Sequence, residues 1–218
     1  MLPTPYWQSD DGTVVLYHGD CLQILPHLSG VDAVVTDPPY GIEYEASRYE
    51  NATFSGVLRG DDAEFDPSPI LSIGVPTILW GGNNFAHRLP RGGWLCWDKR
   101  THEAADKIIG SPFEMAWHSD RKKFKIRRIL HGGAVNDDGK GPRKHPTQKP
   151  IRLMTWCVGL VPDGAILDPF MGSGTTGVAC VRTGRKFIGI EIEEKYCAIA
   201  KRRIQEAFAD QALYAGVK

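Results

Sequence analysis

The chain has 218 residues, of which 42% are hydrophobic and 24% charged, and its 26 lysines and arginines balance its 26 aspartates and glutamates. These values are typical of a globular protein with one α/β core, so we expect a single domain over residues 1–218. Because the net charge is zero, nucleic-acid binding would require a local cluster of positive charge. No apolar run approaches the roughly 20 residues of a membrane span, and the N-terminus lacks a signal-peptide pattern. We therefore expect a cytoplasmic protein with no membrane partner.

The five cysteines are scattered along the chain and show no metal-ligand spacing. They are typical of buried thiols in a reducing compartment. The histidines at positions 87, 102, 118 and 131 show no such spacing either, so the sequence predicts no metal site.

Short apolar runs alternate with helical patterns in the N-terminal part of the chain. Strands are predicted at residues 13–17, 31–36 and 76–80, and helices at residues 21–28 and 67–74. Residues 41–66 show no periodicity and are rich in glycine, serine, asparagine and charged residues. A loop of that length is usually functional or mobile.

The C-terminal part contains a strand pair, a basic segment and a second alternating region. Residues 94–97 and 113–117 predict an antiparallel pair at the sheet edge, and residues 119–146 are basic and glycine-rich. Helices are then predicted at 150–160, 175–182 and 193–208, with strands at 165–167 and 186–190. The alternation predicts an α/β fold: a doubly wound, mostly parallel sheet of seven strands with an antiparallel edge strand.

A glycine loop follows the strand at residues 165–167. The sequence GSGTTG, residues 172–177, matches the pattern G-x-G-x-x-G and opens a predicted helix, and Glu191 ends the next predicted strand. In this context glycines let the backbone approach a nucleotide cofactor, and the carboxylate binds ribose hydroxyls. A tight turn that only requires glycine is the alternative.

The position of this loop in the chain indicates a circularly permuted Rossmann-like fold. A dehydrogenase begins with such a unit and continues with further strands, whereas only one predicted strand follows here. The sheet can be completed only if the unit docks against the N-terminal strands. That arrangement places the sequence TDPPY, residues 36–40, at the end of the strand next to the cofactor strand.

The motifs HGD (18–20), TDPPY (36–40), HPTQKP (145–150), DPFMGSGTT (168–176) and GIEIEEKY (189–196) occur in this order. With them, the chain resembles the β-class DNA amino-methyltransferases, which use S-adenosylmethionine. The motifs span nearly the whole chain. The resemblance implies a Rossmann-like methyltransferase sheet and methyl transfer to an exocyclic amine of DNA.

The resemblance also implies which residues bind the cofactor. Glu191 would bind the ribose hydroxyls, and Asp20 the adenine amino group. Thr147 and Lys149 would contact the carboxylate of the methionine part. The remaining residues for the methionine part are Asp168, Phe170, Gly172, Ser173, Gly174 and Thr175.

The resemblance assigns catalysis to Asp37, Pro38, Pro39 and Tyr40. An exocyclic amine is a poor nucleophile because its lone pair is delocalised into the ring of the base. Asp37 can accept one amine hydrogen, and the Pro38 carbonyl can accept the other because the Pro-Pro step fixes its direction. Tyr40 offers a face for stacking, and the target base must be flipped out of the duplex to reach it. This chemistry needs no metal.

A dense basic cluster predicts where DNA is bound. It lies in residues 120–133, between the predicted catalytic strands and HPTQKP, where β-class enzymes carry their target-recognition region, and phosphate binding explains it. A solvated charged face is the alternative. We therefore expect residues 119–146 to form a short target-recognition insertion and residues 41–66 a mobile DNA-facing loop. The residues of the cluster are Arg121, Lys122, Lys123, Lys125, Arg127 and Arg128.

Other functions stay open at this point. Asp37 favours adenine N6, because many cytosine-N4 enzymes of this pattern carry serine there, and cytosine N4 is the alternative. An NAD-dependent oxidoreductase fits the glycine loop but not the permuted order or HPTQKP, and the intact site residues argue against an inactive DNA-binding module. The sequence is compatible with a homodimer and with a cognate restriction endonuclease as a partner, and it specifies neither. The protein is expected to be encoded by a bacterium or a phage.

Overall fold

The computed structural model describes residues 2–41, 63–100, 111–132, 135–136 and 148–215. Within them, nine strands form one sheet and two form a separate hairpin. In chain order the strands are β1 (Trp7–Gln8), β2 (Val14–His18), β3 (Ala33–Thr36), β4 (Thr77–Trp80), β5 (Gly93–Asp98), β6 (Phe113–His118), β7 (Phe124–Arg128), β8 (His131–Gly132), β9 (Val135–Asn136), β10 (Ala165–Asp168) and β11 (Lys186–Glu191). The pair β8–β9 is the hairpin.

The helices lie between these strands as the alternation predicts. The first is shorter than expected because a 3-10 turn containing a proline follows it at Leu25–His27. No described helix has the length and apolar character needed to cross a membrane. The helices are α1 (Cys21–Ile24), α2 (Ser68–Leu71), α3 (Ile151–Val158), α4 (Thr175–Arg182) and α5 (Glu194–Ala215).

The strand order confirms the permuted arrangement. The sheet runs β1-β2-β11-β10-β3-β4-β6-β5-β7, so the strands on either side of the glycine loop lie between the two N-terminal strands β2 and β3. The five strands from β2 to β4 in this order are mutually parallel, and β10 pairs directly with β3. The predicted fold class, a mostly parallel α/β sheet with an antiparallel edge, is therefore confirmed.

The number and order of the outer strands differ from the prediction. The seven predicted strands are present, but β1 and β7 extend the sheet to nine among the described residues. The predicted antiparallel pair β5–β6 forms, yet β7 lies outside it and pairs in parallel with β5. All five residues of β7 are exposed, so this strand is held by backbone pairing and its sequence carries no burial pattern.

Two apolar layers cover the faces of the sheet. On one face, the helices α3, α4 and α5 pack against inward-facing residues such as Leu16, Val35 and Trp97. On the other face, α1 and α2 pack against Val34, Leu79 and their neighbours. The parallel strands are buried on both faces, as in other sheets whose crossover helices cover both sides.

Gly164 sets the start of β10. Its φ is +127°, and a Cβ atom there would lie 2.1 Å from Oδ2 of Asp32. The same carboxylate oxygen accepts a hydrogen bond of 2.7 Å from the backbone N–H of Ala165. The close approach joins the beginning of β10 to the residue before β3 and requires glycine.

We predict that Gly164→Ala lowers the free energy of unfolding by about 2–4 kcal/mol, because it combines backbone strain with disruption of the Asp32 hydrogen bond. Urea unfolding of the purified variant measures this change. The matched control is Gly184→Ala, where φ is +68° but a Cβ atom would meet nothing within 4 Å. It carries only the strain of about 1–2 kcal/mol, and equal destabilisation in both variants would contradict the role of the Asp32 hydrogen bond.

Candidate active site

The candidate site lies at the carboxyl ends of the parallel strands. Across the sheet, Asp20 follows β2, Glu191 ends β11, Asp168 ends β10, Asp37 follows β3 and Gly81 follows β4. Parallel strands bring residues that are distant in sequence to one edge of the sheet. Residues predicted from separate motifs therefore meet along one line.

Asp168 joins β3 to the glycine loop. Its Oδ1 accepts hydrogen bonds from the Thr36 hydroxyl at 2.6 Å and from the backbone N–H of Phe170 at 3.2 Å. Its Oδ2 accepts one from the Thr176 hydroxyl at 2.6 Å. The side chain is buried, and this burial raises the pKa of Asp168 to about 6 despite the three donors. The carboxylate thus fixes β3, β10 and the first turn of α4 relative to one another.

Glu191 holds the glycine loop against the neighbouring strand. Its Oε2 accepts a hydrogen bond from the backbone N–H of Gly172 at 3.0 Å, and its Oε1 accepts one from that of Glu193 at 2.8 Å. Burial raises the pKa of Glu191. Its predicted role at the ribose stays a prediction.

Arg203 supports the glycine loop from α5, although it belongs to none of the sequence motifs. Its guanidinium donates to the carbonyl of Ser173 at 2.7 Å, to the hydroxyl of Ser173 at 2.8 Å and to that of Thr175 at 3.1 Å. All three side chains are buried. An arginine in an amphipathic helix resembles a solvent-facing residue, so the sequence held no signal for this interaction. The hydroxyls of Ser173 and Thr175 face the protein interior.

Asp20 caps the first helix. Its Oδ1 accepts a hydrogen bond of 2.9 Å from the backbone N–H of Leu22, which satisfies a donor at the start of α1. The residue lies beside Glu191 because His18, two residues earlier, pairs with Glu191 across the β2–β11 ladder. The backbones of these two residues are therefore neighbours, and the roles of both at the adenosine stay predictions.

Among the described residues, Asp37 has two side-chain partners. The Tyr40 hydroxyl donates to its Oδ1, and the Lys149 ammonium donates to its Oδ2 at 2.5 Å. The ring of Tyr40 packs over Gly81, where a Cβ atom would lie 2.0 Å from a ring carbon. Glycine at this position therefore lets Tyr40 lie flat against the end of β4.

A second carboxylate, Glu114 at the start of β6, completes this charged cluster. Its Oε2 lies 3.1 Å from Lys149 Nζ, and its Oε1 lies 2.5 Å from Lys99 Nζ. Burial would raise the pKa of Glu114, but Lys149 and Lys99 outweigh it and lower the pKa to about 2. Burial raises the pKa of Asp37 against the opposing effect of Lys149. Burial would lower the pKa of Lys149, whereas Asp37 and Glu114 raise it well above its usual value.

Lys149 is predicted to contact the carboxylate of the cofactor together with Thr147, and this role stays a prediction. In the structure its ammonium contacts Asp37, Glu114 and Tyr40. Thr147, most of the loop at 41–66 and much of the segment at 119–146 lie outside the described residues.

The predicted basic cluster lies at the far edge of the sheet. Arg121, Lys122, Lys125 and Arg127 are exposed, whereas Lys123 is partly buried. Arg128 is exposed but is already paired, since it donates to the buried Asp98 at 2.9 Å. Because β7 runs parallel to β5, its last residues Arg127 and Arg128 lie toward the edge of the sheet that carries the candidate site, two strands beyond β4. Arg121 and Lys122 precede β7 and lie toward the opposite edge.

Among the described residues, no three His, Cys, Asp or Glu side chains are grouped as metal ligands would be. The described residues form a permuted doubly wound sheet in which the strand before the glycine loop pairs with the strand before the Asp-Pro-Pro-Tyr turn. Residues 79–202 match the family model described as DNA methylase, which covers N6 and N4 methyltransferases. The chain belongs to this family, whose methyl donor is S-adenosylmethionine.

Individual relatives agree with this membership. The Type II methyltransferase M.HinfI of Haemophilus influenzae is 42% identical over an alignment of 242 positions, which covers 86% of this chain and 67% of the relative. The solved structure of PvuII DNA methyltransferase, named as cytosine-N4-specific, superposes with a TM-score of 0.63 at 15% identity, covering 94% of each chain. The M1.HpyAVI–SAM complex superposes with a TM-score of 0.55 at 23% identity, covering 88% of this chain and 98% of that one.

We predict that Asp168→Asn removes a pH dependence of stability. A carboxyl whose pKa is about 6 in the folded state and roughly 4 when unfolded favours folding in its protonated form. Its contribution is present below pH 4 and is lost as the pH rises through 6. Relative to the original protein, the variant should therefore gain about 2–3 kcal/mol between pH 4 and pH 7.

Urea unfolding at several pH values measures the difference, with Asp163→Asn as the matched control because the Asp163 side chain is fully exposed. An asparagine keeps the shape at position 168 and still accepts from Thr36, so folding itself should persist. Parallel pH profiles for Asp168→Asn and the original protein would refute the effect.

Proposed function

We propose that this DNA methyltransferase methylates the exocyclic N6 of adenine in a base flipped out of the duplex. The observation that carries the proposal is the position of Asp37 at the end of β3. The hydroxyl of the preceding Thr36 donates a hydrogen bond to Asp168, at the start of the glycine loop. This hydrogen bond holds Asp37, the proposed amine acceptor, at a fixed position relative to the loop proposed to bind the methyl donor.

The residues of the site fit S-adenosylmethionine. Gly172 and Gly174 adopt positive φ values of 49° and 78° where the loop opens α4, so the backbone carries no side chain there. When bound, the cofactor supplies a methyl group on a positively charged sulfur. We assign Glu191 to the ribose hydroxyls, Asp20 to the adenine amino group and Asp168 with its loop to the methionine part. The negative charges of these three carboxylates favour binding of a cofactor with a positively charged sulfur.

Asp37 and the Pro38 carbonyl would accept the two hydrogens of the target amine. This arrangement favours a tetrahedral nitrogen whose lone pair faces the methyl group. As the new N–C bond forms, the C–S bond breaks, and its electron pair stays on sulfur. The nitrogen is then positively charged and loses one proton to Asp37 or to water. The carboxylate stabilises the charge that develops in this step.

Adenine is preferred to cytosine because the turn carries aspartate at position 37. Many enzymes of this pattern that methylate cytosine N4 carry serine there. The structural neighbour titled cytosine-N4-specific keeps cytosine as the second candidate. Both bases present the same type of amine, so the chemistry of the site is shared.

We further propose that β7 and the residues before it bind DNA phosphates, with residues 119–146 as the target-recognition region and residues 41–66 facing DNA. The exposed cations Lys125 and Arg127 alternate along β7 with the exposed side chains of Phe124 and Ile126. We propose a cytoplasmic location. The Type II relative supports a setting beside a cognate endonuclease, and that pairing and a homodimer stay predictions.

We predict that Asp37→Ala lowers methyl transfer by about 1000-fold or more, because one amine acceptor and the stabilising charge are removed. Lys149 keeps Glu114 as a partner, so the fold and cofactor binding should persist. The assay incubates protein, methyl-labelled S-adenosylmethionine and unmethylated genomic DNA, and identifies methylated nucleosides by mass spectrometry. The exposed Asp163→Ala is the matched control.

The product of the unmodified protein identifies the base. N6-methyladenine agrees with the proposal, and N4-methylcytosine would replace adenine while keeping the mechanism. Normal activity of Asp37→Ala would remove Asp37 from the catalytic site.

We predict that a variant with glutamine at positions 121, 122, 125 and 127 binds DNA more weakly and with a smaller salt dependence. The slope of log K against log salt should fall by roughly one unit for each DNA phosphate that the variant no longer neutralises. Arg128 is left unchanged because its bond to Asp98 supports the fold. The control is glutamine at Arg182 and Lys186, exposed cations away from β7. An unchanged slope in the fourfold variant would move the DNA site elsewhere.

A further inference from the structure

The ammonium of Lys149 lies between two carboxylates on different strands. Its Nζ is 2.5 Å from Oδ2 of Asp37, which follows β3, and 3.1 Å from Oε2 of Glu114, at the start of β6. The side chain of Lys149 is only 7% exposed, so these contacts are shielded from water. Glu114 belongs to none of the sequence motifs described above.

The contact with Lys149 opposes the proposed task of Asp37. Both carboxylate oxygens of Asp37 already accept a hydrogen bond, one from Tyr40 and one from Lys149. An ammonium at Oδ2 competes with an incoming amine hydrogen for the lone pairs of that oxygen. Its positive charge also repels the charge that develops on the amine nitrogen during methyl transfer. Departure of Lys149 from Asp37 therefore favours methyl transfer.

Glu114 offers Lys149 a second position. Its Oε2 is buried and, within the described part of the chain, lacks a hydrogen-bond donor, because Lys149 is close enough for an ion pair but not aligned for a hydrogen bond. A small rotation of the lysine side chain would supply the missing donor. The other oxygen, Oε1, is held by Lys99, whose ammonium also lies 4.9 Å from the centre of the Trp97 ring.

We propose that Glu114 is a positioning residue that takes the Lys149 ammonium from Asp37 when the target amine enters. The transfer leaves Lys149 paired and frees Oδ2 of Asp37 for the amine hydrogen. The two carboxylates and the two ammoniums of the cluster remain equal in number, and Asp37 keeps the Tyr40 hydroxyl as a donor while the target amine replaces Lys149. This inference rests on the proposed role of Asp37.

The test compares single-turnover methylation rates at saturating cofactor and DNA. Glu114→Gln keeps the shape of the side chain but removes the charge that attracts Lys149, so the rate should fall by roughly 10–100-fold. Cofactor and DNA affinities, measured separately by titration, should change less than twofold. Glu114→Asp retains the charge and should recover part of the rate. Glu206→Gln removes an exposed carboxylate from α5 and is the matched control.

The double variant Glu114→Gln/Lys149→Met separates this role from a merely structural one. Without the ammonium, Asp37 is no longer blocked, so the double variant should be at least about tenfold faster than Glu114→Gln. Burial of an unpaired Asp37 raises its pKa, and the recovery should therefore grow as the pH rises from 6 to 9. Thermal unfolding of each variant identifies any that fail to fold.

The outcomes distinguish this inference from the proposed function. A double variant no faster than Glu114→Gln across this pH range, or a Glu114→Gln rate equal to that of the original protein, would overturn the role of Glu114. Either result leaves the proposed function intact if Asp37→Ala is inactive. Full activity of Asp37→Ala would overturn both.

Discussion

The buried carboxylate of Asp168 is the constraint on which the candidate site depends. It accepts from Thr36 on the catalytic strand, from Phe170 in the loop and from Thr176 in the helix that follows. Burying a carboxylate is unfavourable, and the rise of the pKa to about 6 reflects that cost. Three neutral donors offset part of it. One side chain therefore sets the position of the strand before Asp37 relative to the glycine loop.

The site contains two buried acidic centres that are satisfied in different ways. Asp168 is surrounded by neutral donors whose positions are fixed by backbone and short side chains. Asp37 is instead paired with the ammonium of Lys149, which is carried on a long side chain with several rotatable bonds. Neutral donors give rigidity, whereas a mobile counter-charge lets a carboxylate exchange partners. The first centre suits a scaffold, and the second suits an acceptor that must meet a substrate.

Much of this arrangement could be predicted from the sequence because its signals are local. The order of the strands followed from where the glycine loop stands in the chain, and Asp37 and Glu191 followed from motifs at predicted strand ends. Glu114 and Arg203 could not be predicted in this way. Each acts through an interaction with a residue distant in sequence, and nothing in their own segments distinguishes them from solvent-facing charges.

The outer strand β7 was missed for a related reason. Its residues are exposed, so the period-2 burial that marks most strands has no counterpart in its sequence. Backbone pairing with β5 alone defines it. The same exposure leaves lysine and arginine along an open sheet edge, which discourages pairing with another strand edge.

The placement of β10 and β11 between β2 and β3 also affects how the chain is made. During synthesis, β2 and β3 leave the ribosome long before the strands that separate them in the finished sheet. β3 cannot complete its final pairing until residues up to 168 have been added, and β2 not until residues up to 191 have been added. The centre of the sheet is thus closed last by pairing between distant segments, a topology associated with slow folding. A nascent chain exposes apolar strand edges throughout that interval, and a product that ends before β10 lacks both the centre of the sheet and the glycine loop.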